Sequence, residues 1–157
     1  MRIERVRRDF LPGVWEVEEA SFADPYPRWY LEALSRSSSF FYVALAGEKV
    51  VGYATASVEG DLVHIISLAV LPQFRRRGIG RALLRRILGG AKAMGLRGAI
   101  LEAKRGNEAA EALYRSLGFA ERGFRAGYYE NGADASVFEL DFKGGGSGKG
   151  RENLISI

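Results

Sequence analysis

Four features of the chain could do chemistry: a glycine-containing loop, a carboxylate ending an apolar run, one histidine and one helical tyrosine. The loop is "QFRRRGIG", residues 73–80, which follows the apolar run "HIISLAVL". Its two glycines free the backbone where a helix begins, and a run of amide N–H groups there suits an anion of pyrophosphate size. The pattern is no dinucleotide fingerprint, because position 83 is leucine where a third glycine is needed. Nor is it a Walker loop, since Gly80 is followed by Arg81 and not by Lys-Ser/Thr. On spacing alone, a solvated basic turn fits equally well. Glu102 ends "GAILE", His64 opens "HIISLAVL", and Tyr114 falls two turns after Asn107. Each has a bland alternative: a strand-end carboxylate, a structural histidine and a core tyrosine.

Composition narrows the chemistry. The 157 residues contain no cysteine and one histidine, which excludes disulfides and thiolate catalysis and argues against the usual zinc sites. No metal is expected. The N-terminus "MRIERVRRDF" has no apolar core of a secretory signal, and no apolar run approaches the roughly 20 residues of a membrane span. A cytoplasmic protein that does not engage membranes is expected. The net charge is +4, yet between Asp61 and Glu102 there is no acidic residue, while Arg75, Arg76, Arg77, Arg81, Arg85, Arg86, Lys92 and Arg97 lie there. Such clustering favours an anionic partner.

The elements that must position these groups follow from periodicity. "RIERVRR" alternates as a strand. "PGVWEVEEASF" and "PRWYLEALSR" read as short helices around the turn "ADPYP". "FFYVALA", "VVGYATASVE" and "LVHIISLAVL" read as a meander of strands. From Gly78 the apolar period becomes helical through Ile79, Leu83, Leu84, Ile87 and Leu88. "GAILEAKR" is a strand, and "NEAAEALYRSLGF" a helix capped by Asn107 and stopped at Gly118. "FAERGFRAGYY" and "ASVFELDF" are expected to close as a hairpin. The order is β-α-α-β-β-β-α-β-α-β-β, an α/β (α+β) fold on a mixed sheet with helices on both faces, as one domain over residues 1–142. Residues 143–157, "KGGGSGKGRENLISI", read as a flexible Gly-rich tail. Strand–helix units at 62–95 and 98–117 place "LPQFRRRGIG" and "EAKRGN" at the carboxyl ends of strands, where such folds bind ligands.

Arg75-x-x-Gly78-x-Gly80 after "SLAVLPQF" resembles the acetyl-CoA-binding motif of the GNAT superfamily of N-acetyltransferases. "LEAKRGNEAAEALYRSLGF" is similar to the superfamily's second conserved segment. Three stretches, "EEASFADPYPRWYLEAL", "HIISLAVLPQFRRRGIGRALL" and "GYYENGADASVFEL", further resemble the protein N-terminal acetyltransferases of RimI and archaeal Ard type. The resemblance covers residues 1–142, and it departs at "ADPYP", where Asp24 is the nearest match to an acidic residue of the archaeal proteins.

The resemblance implies the GNAT acyl-CoA N-acyltransferase fold, with acetyl-CoA as cosubstrate. Amides of Arg76, Arg77, Gly78, Ile79 and Gly80 would hold its pyrophosphate, with Arg75 and Arg81 flanking. Backbone groups of Leu68, Ala69 and Val70 would pair with the pantetheine arm, and Asn107 would contact the coenzyme. Glu102 or His64 would serve as base, and Tyr114 would protonate the leaving thiolate while also touching the coenzyme. Phe22, Asp24, Tyr26, Tyr128 and Tyr129 would form the acceptor slot, on two loops expected to face each other. The expected reaction is direct attack by a free N-terminal α-amine in a ternary complex, on proteins or peptides, ribosome-associated substrates among them. An α-amine with a pKa near 8 is roughly one-tenth neutral at pH 7, whereas a lysine is several hundred-fold less so. The alternatives are a GNAT enzyme for a small amine or protein lysine, and a non-catalytic nucleic-acid-binding or acyl-CoA-sensing domain. Nucleic acid is disfavoured because aromatics are not interleaved with the arginines, Phe74 apart. A monomer or homodimer is expected.

Overall fold

A computed structural model describes residues 1–143. The tail expected from residue 143 lies, beyond Lys143, outside the described residues. The elements, in chain order, are β1 (Arg2–Arg5), α1 (Leu11–Ser21), α2 (Arg28–Ser37), β2 (Phe40–Ala46), β3 (Lys49–Glu59), β4 (Leu62–Val70), α3 (Ile79–Ala93), β5 (Gly98–Lys104), α4 (Glu108–Ser116), β6 (Ala120–Arg125) and β7 (Ala135–Asp141). Short 3-10 turns precede α1 and α3. The order is that expected from the periodicity. One seven-stranded mixed sheet runs β1-β2-β3-β4-β5-β7-β6.

The chain divides into two compact units. The first comprises Met1–Val58 and Ile65–Gly90. Its antiparallel β1–β2–β3 meander buries Phe41, Val43, Val51 and Tyr53 without exposure, each on a strand whose alternation supplies the inward face. In α3 the helical spacing of Ile79, Leu83, Leu84 and Ile87 puts all four in the core. In α1 the same arithmetic brings Leu11, Val14 and Glu18 inside, so a carboxylate occupies a position that the period reserves for an apolar group.

The second unit comprises, among the described residues, Glu59–His64 and residues 91–143. Here β4 meets β5 in parallel through Leu62–Gly98, Val63–Ala99 and His64–Ile100. β5 pairs with β7 over seven residues, antiparallel, and β7 with β6. Leu62, Ile100 and Val137 form a buried cluster across these strands. Gly98 is required at its place, because a Cβ there would run into the Leu140 carbonyl. Arg97 ties the unit's two chain segments together. Its amide donates to Asp61 O at 2.7 Å and its Nε to the Asp61 carboxylate at 2.8 Å.

The final hairpin differs from the expected one. Its first arm ends at Arg125 and not at Tyr129. Residues 126–134 form a loop with hydrogen bonds of its own. The Gly127 amide donates to Asp134 Oδ1 at 2.9 Å, the Gly132 amide to Tyr129 O at 2.8 Å, and the Tyr129 amide to Ala133 O at 3.2 Å. These local turns take the polar groups that a longer ladder would have used.

Candidate active site

In the first unit, β4 ends at Val70 and a turn at Pro72–Phe74 leads into "RRRGIG". Arg76 has φ +63° and Gly78 φ +80°. Arg76 is the one non-glycine residue with positive φ among those described. That conformation costs an L-residue roughly 1–2 kcal/mol. The first helical bond of α3 runs from the Ala82 amide to Gly78 O at 3.0 Å. The amides of Ile79, Gly80 and Arg81 therefore precede any intrahelical acceptor. Nothing stands within 4 Å of where a Gly78 Cβ would be. The loop thus offers amides, a helix N-terminus and open space to an anion, and a pyrophosphate group fits it.

The arginines are placed differently from the amides. Arg75, Arg76 and Arg77 are exposed. Arg75 donates from Nε to Val70 O at 2.9 Å, bracing the end of β4, and Arg77 lies over the Phe74 ring at 5.1 Å. Leu68, Ala69 and Val70 form the last turn of the pleat in β4, with Ala69 buried and its neighbours half-buried.

The first unit also holds Phe22, Asp24 and Tyr26, all exposed on the segment between α1 and α2. This segment is fixed from below. Glu18 is 2% exposed, and its two oxygens accept the Tyr53 hydroxyl at 2.5 Å and the Tyr26 amide at 2.9 Å. Ser67 Oγ lies 2.9 Å from the Tyr53 oxygen. Burial raises the Glu18 carboxyl above its ordinary range, against the two hydrogen bonds. Burial and the neighbouring Glu18 raise the Tyr53 hydroxyl as well. Reading the sequence by motif misses Glu18. The signal was present, since a glutamate stands at an apolar position of the α1 period.

In the second unit the two candidate bases meet. His64 Nε2 is 2.7 Å from Glu102 Oε1, with side chains 22% and 10% exposed. The other ring nitrogen, Nδ1, is 2.5 Å from Glu59 Oε2. With a carboxylate on each side, both nitrogens donate, so the ring is an imidazolium. The Glu102 hydrogen bond is the largest influence on His64, and with the charges of Glu102 and Glu59 it raises the ring to about 9 against the opposing effect of burial. Burial would raise Glu102, but the His64 hydrogen bond and the charges of His64 and Arg125 hold it below the ordinary carboxylate range. Motifs alone also miss Glu59. Its signal is the two-residue link between β3 and β4, which sets it five residues before His64.

Tyr114 and Asn107 belong to α4 in the same unit. Asn107 Oδ1 accepts the Ala110 amide at 3.2 Å and caps the helix. Tyr114 packs against Phe138 and Phe119, with ring centroids 5.8 and 6.2 Å away, and this burial raises its hydroxyl above the ordinary phenol range. Tyr128 and Tyr129 stack edge-on at 5.0 Å in the loop 126–134. Among the described residues no group of His, Cys, Asp and Glu is arranged to hold a metal ion, and no helix is long and apolar enough to cross a membrane.

A sequence model of the Acetyltransferase (GNAT) family matches residues 2–119, and the chain belongs to that family. It is an N-acetyltransferase. It is 34% identical over 122 residues to the [ribosomal protein bS18]-alanine N-acetyltransferase of Salmonella typhimurium, covering 76% of this chain and 80% of that one. It is 30% identical over 148 residues to an N-alpha-acetyltransferase of Sulfurisphaera tokodaii, covering 85% and 89%. The crystal structure of the ribosomal-protein-S18-alanine N-acetyltransferase from Escherichia coli superposes with a TM-score of 0.83 at 28% identity, over 93% of this chain and 96% of that one.

Proposed function

We propose that the protein transfers the acetyl group of acetyl-CoA to the free α-amino group of protein or peptide N-termini, by direct attack in a ternary complex. The observation that carries this reading is the 2.7 Å contact between His64 and Glu102, which puts a largely enclosed, ionised carboxylate against the chain's one imidazole. The relatives whose names specify an α-amine or an alanine acceptor support the choice of substrate.

Acetyl-CoA supplies the activated acyl thioester. The amides of Arg76 to Gly80 hold the pyrophosphate, flanked by Arg75 and Arg81, and the N-terminus of α3 adds its dipole. Leu68, Ala69 and Val70 offer backbone groups to the pantetheine arm, as an added strand would receive them. Asn107 keeps the start of α4 in place beside its coenzyme contact. Glu102 takes the proton from the α-ammonium, and His64 holds Glu102 in orientation. Tyr114 holds a proton on its hydroxyl for the departing sulfur. Phe22, Asp24, Tyr26, Tyr128 and Tyr129 receive the first residues of the acceptor. Residues 1–142 act as the catalytic domain of a cytoplasmic protein that works as a monomer or homodimer. Ribosomal proteins are among its acceptors, and neither membrane nor nucleic acid is.

The test is acetylation of a peptide library read by mass spectrometry, with each peptide supplied with a free and with a blocked α-amine. Acetylation confined to free α-amines is expected. Turnover that survives blocking, on lysine side chains or on small amines, overturns the reading.

A further inference from the structure

Glu59 has no place in the scheme above, yet it makes the shorter of the two contacts to the only histidine. We propose that Glu59 is a positioning residue for acetyl transfer, holding the imidazolium of His64 by Nδ1 while the ring donates through Nε2 to Glu102, and carrying the Nδ1 proton toward solvent. The inference rests on the reading that Glu102 accepts the proton of the acceptor amine.

The geometry gives each partner a distinct task. Glu102 is nearly enclosed, at 10% side-chain exposure, whereas Glu59 is 58% exposed. A proton can thus leave the ring for water on the Glu59 side and not on the Glu102 side. The ring keeps Nε2–H on Glu102 in both of its states, so only the Nδ1 proton comes and goes. In that step the Nδ1–H bond breaks, an O–H bond forms on Glu59 Oε2, and the proton passes on to water. The ring becomes neutral, and Glu102 loses the adjacent positive charge that weakens it as a base. Glu102 then takes a proton from the α-ammonium: an N–H bond breaks, an O–H bond forms, and the nitrogen keeps the electron pair for attack.

The other charges around the pair come from separate elements. Arg125, at the end of β6, acts on Glu102 and lowers it. Tyr128, in the loop 126–134, is raised first by burial and then by Glu102 and Glu59. Arg125 carries its guanidinium 5.7 Å from the Tyr128 ring, and its Nε is buried without an acceptor. Arg125 opposes protonation of the cluster. Of the groups that favour the imidazolium, Glu59 alone is also open to water.

Because the chain has one histidine, its ring resonances need no assignment, and His64 can be titrated directly by NMR. Glu59→Gln should lower the His64 midpoint by roughly one pH unit, the effect of removing one adjacent opposite charge. Glu59→Asp, which restores the charge, should recover most of that shift. The rising limb of kcat against pH, on a peptide with a free α-amine, should move in the same direction and order through the three proteins. A His64 midpoint unchanged in Glu59→Gln overturns the proposal. So does a midpoint that moves while the kcat limb stays in place. The titration needs no turnover. A chain that acetylates no peptide therefore overturns the functional reading, while the titration still decides whether Glu59 governs the ring.

Discussion

The Tyr53 hydroxyl donates to Glu18 at 2.5 Å inside the first unit, and through the other oxygen of that carboxylate it is joined to the backbone of Tyr26. The segment assigned to the acceptor is therefore tied to a buried polar chain. Tyr53→Phe removes one donor and leaves Glu18 under-satisfied. The expected cost is roughly 1–3 kcal/mol of stability, measured as a shift in urea unfolding. The peptide KM should rise as the Tyr26 segment loosens, while acetyl-CoA affinity is retained.

Stability should depend on pH through His64. Its ring titrates at about 9 in the folded chain against an ordinary value of 6.5. A raised value means that the folded state binds the proton more tightly. The stabilisation is complete below about pH 6.5 and is lost as the pH climbs through about 9. The size of the shift corresponds to about 3 kcal/mol at most. Urea unfolding at pH 6 and pH 10 should show this loss in the wild type, and much less of it in His64→Ala.

The proposed coenzyme loop should respond to its backbone more than to its charge. Gly78→Ala meets no steric obstacle, since the space around that position is open, but it forces alanine to φ +80°. The strain of roughly 1–2 kcal/mol should weaken acetyl-CoA binding by about tenfold, read by calorimetry. Arg76→Gly relieves a strained conformation and keeps the amide. It should leave affinity almost unchanged despite losing a positive charge.

Tyr114→Phe should separate chemistry from binding. The ring stays packed on Phe119 and Phe138, so acetyl-CoA affinity should hold. Loss of the proposed proton donor should reduce kcat by roughly a hundredfold or more. Turnover at the wild-type rate would remove Tyr114 from the mechanism.

Local signals made much of this molecule readable from its residues. The apolar period marked α3 to within one residue of its start, and Asn107 announced the cap of α4 by its position before "EAAEAL". Gly78 and Gly80 marked the turn that opens α3, where Gly78 takes φ +80°. What was not readable depends on contacts between residues distant along the chain. Glu18 looks like one of several glutamates in "EVEEASF" until its burial is known. Glu59 looks like a turn residue until the ring of His64 is seen to stand between it and Glu102. Tyr128 and Tyr129 alternate as a strand would, yet the hydrogen bonds of Asp134 and Ala133 keep them in a loop.

The short segment Glu59–His64 has a consequence for synthesis. It groups with chain that begins only at Ala91, and its histidine finds Glu102 38 residues downstream. A chain emerging from the ribosome exposes the glycine loop of residues 73–80 well before His64 can meet Glu102. Nascent fragments that stop short of β5 lack Glu102, so under the proposed mechanism acetyl transfer must wait until that strand has been made.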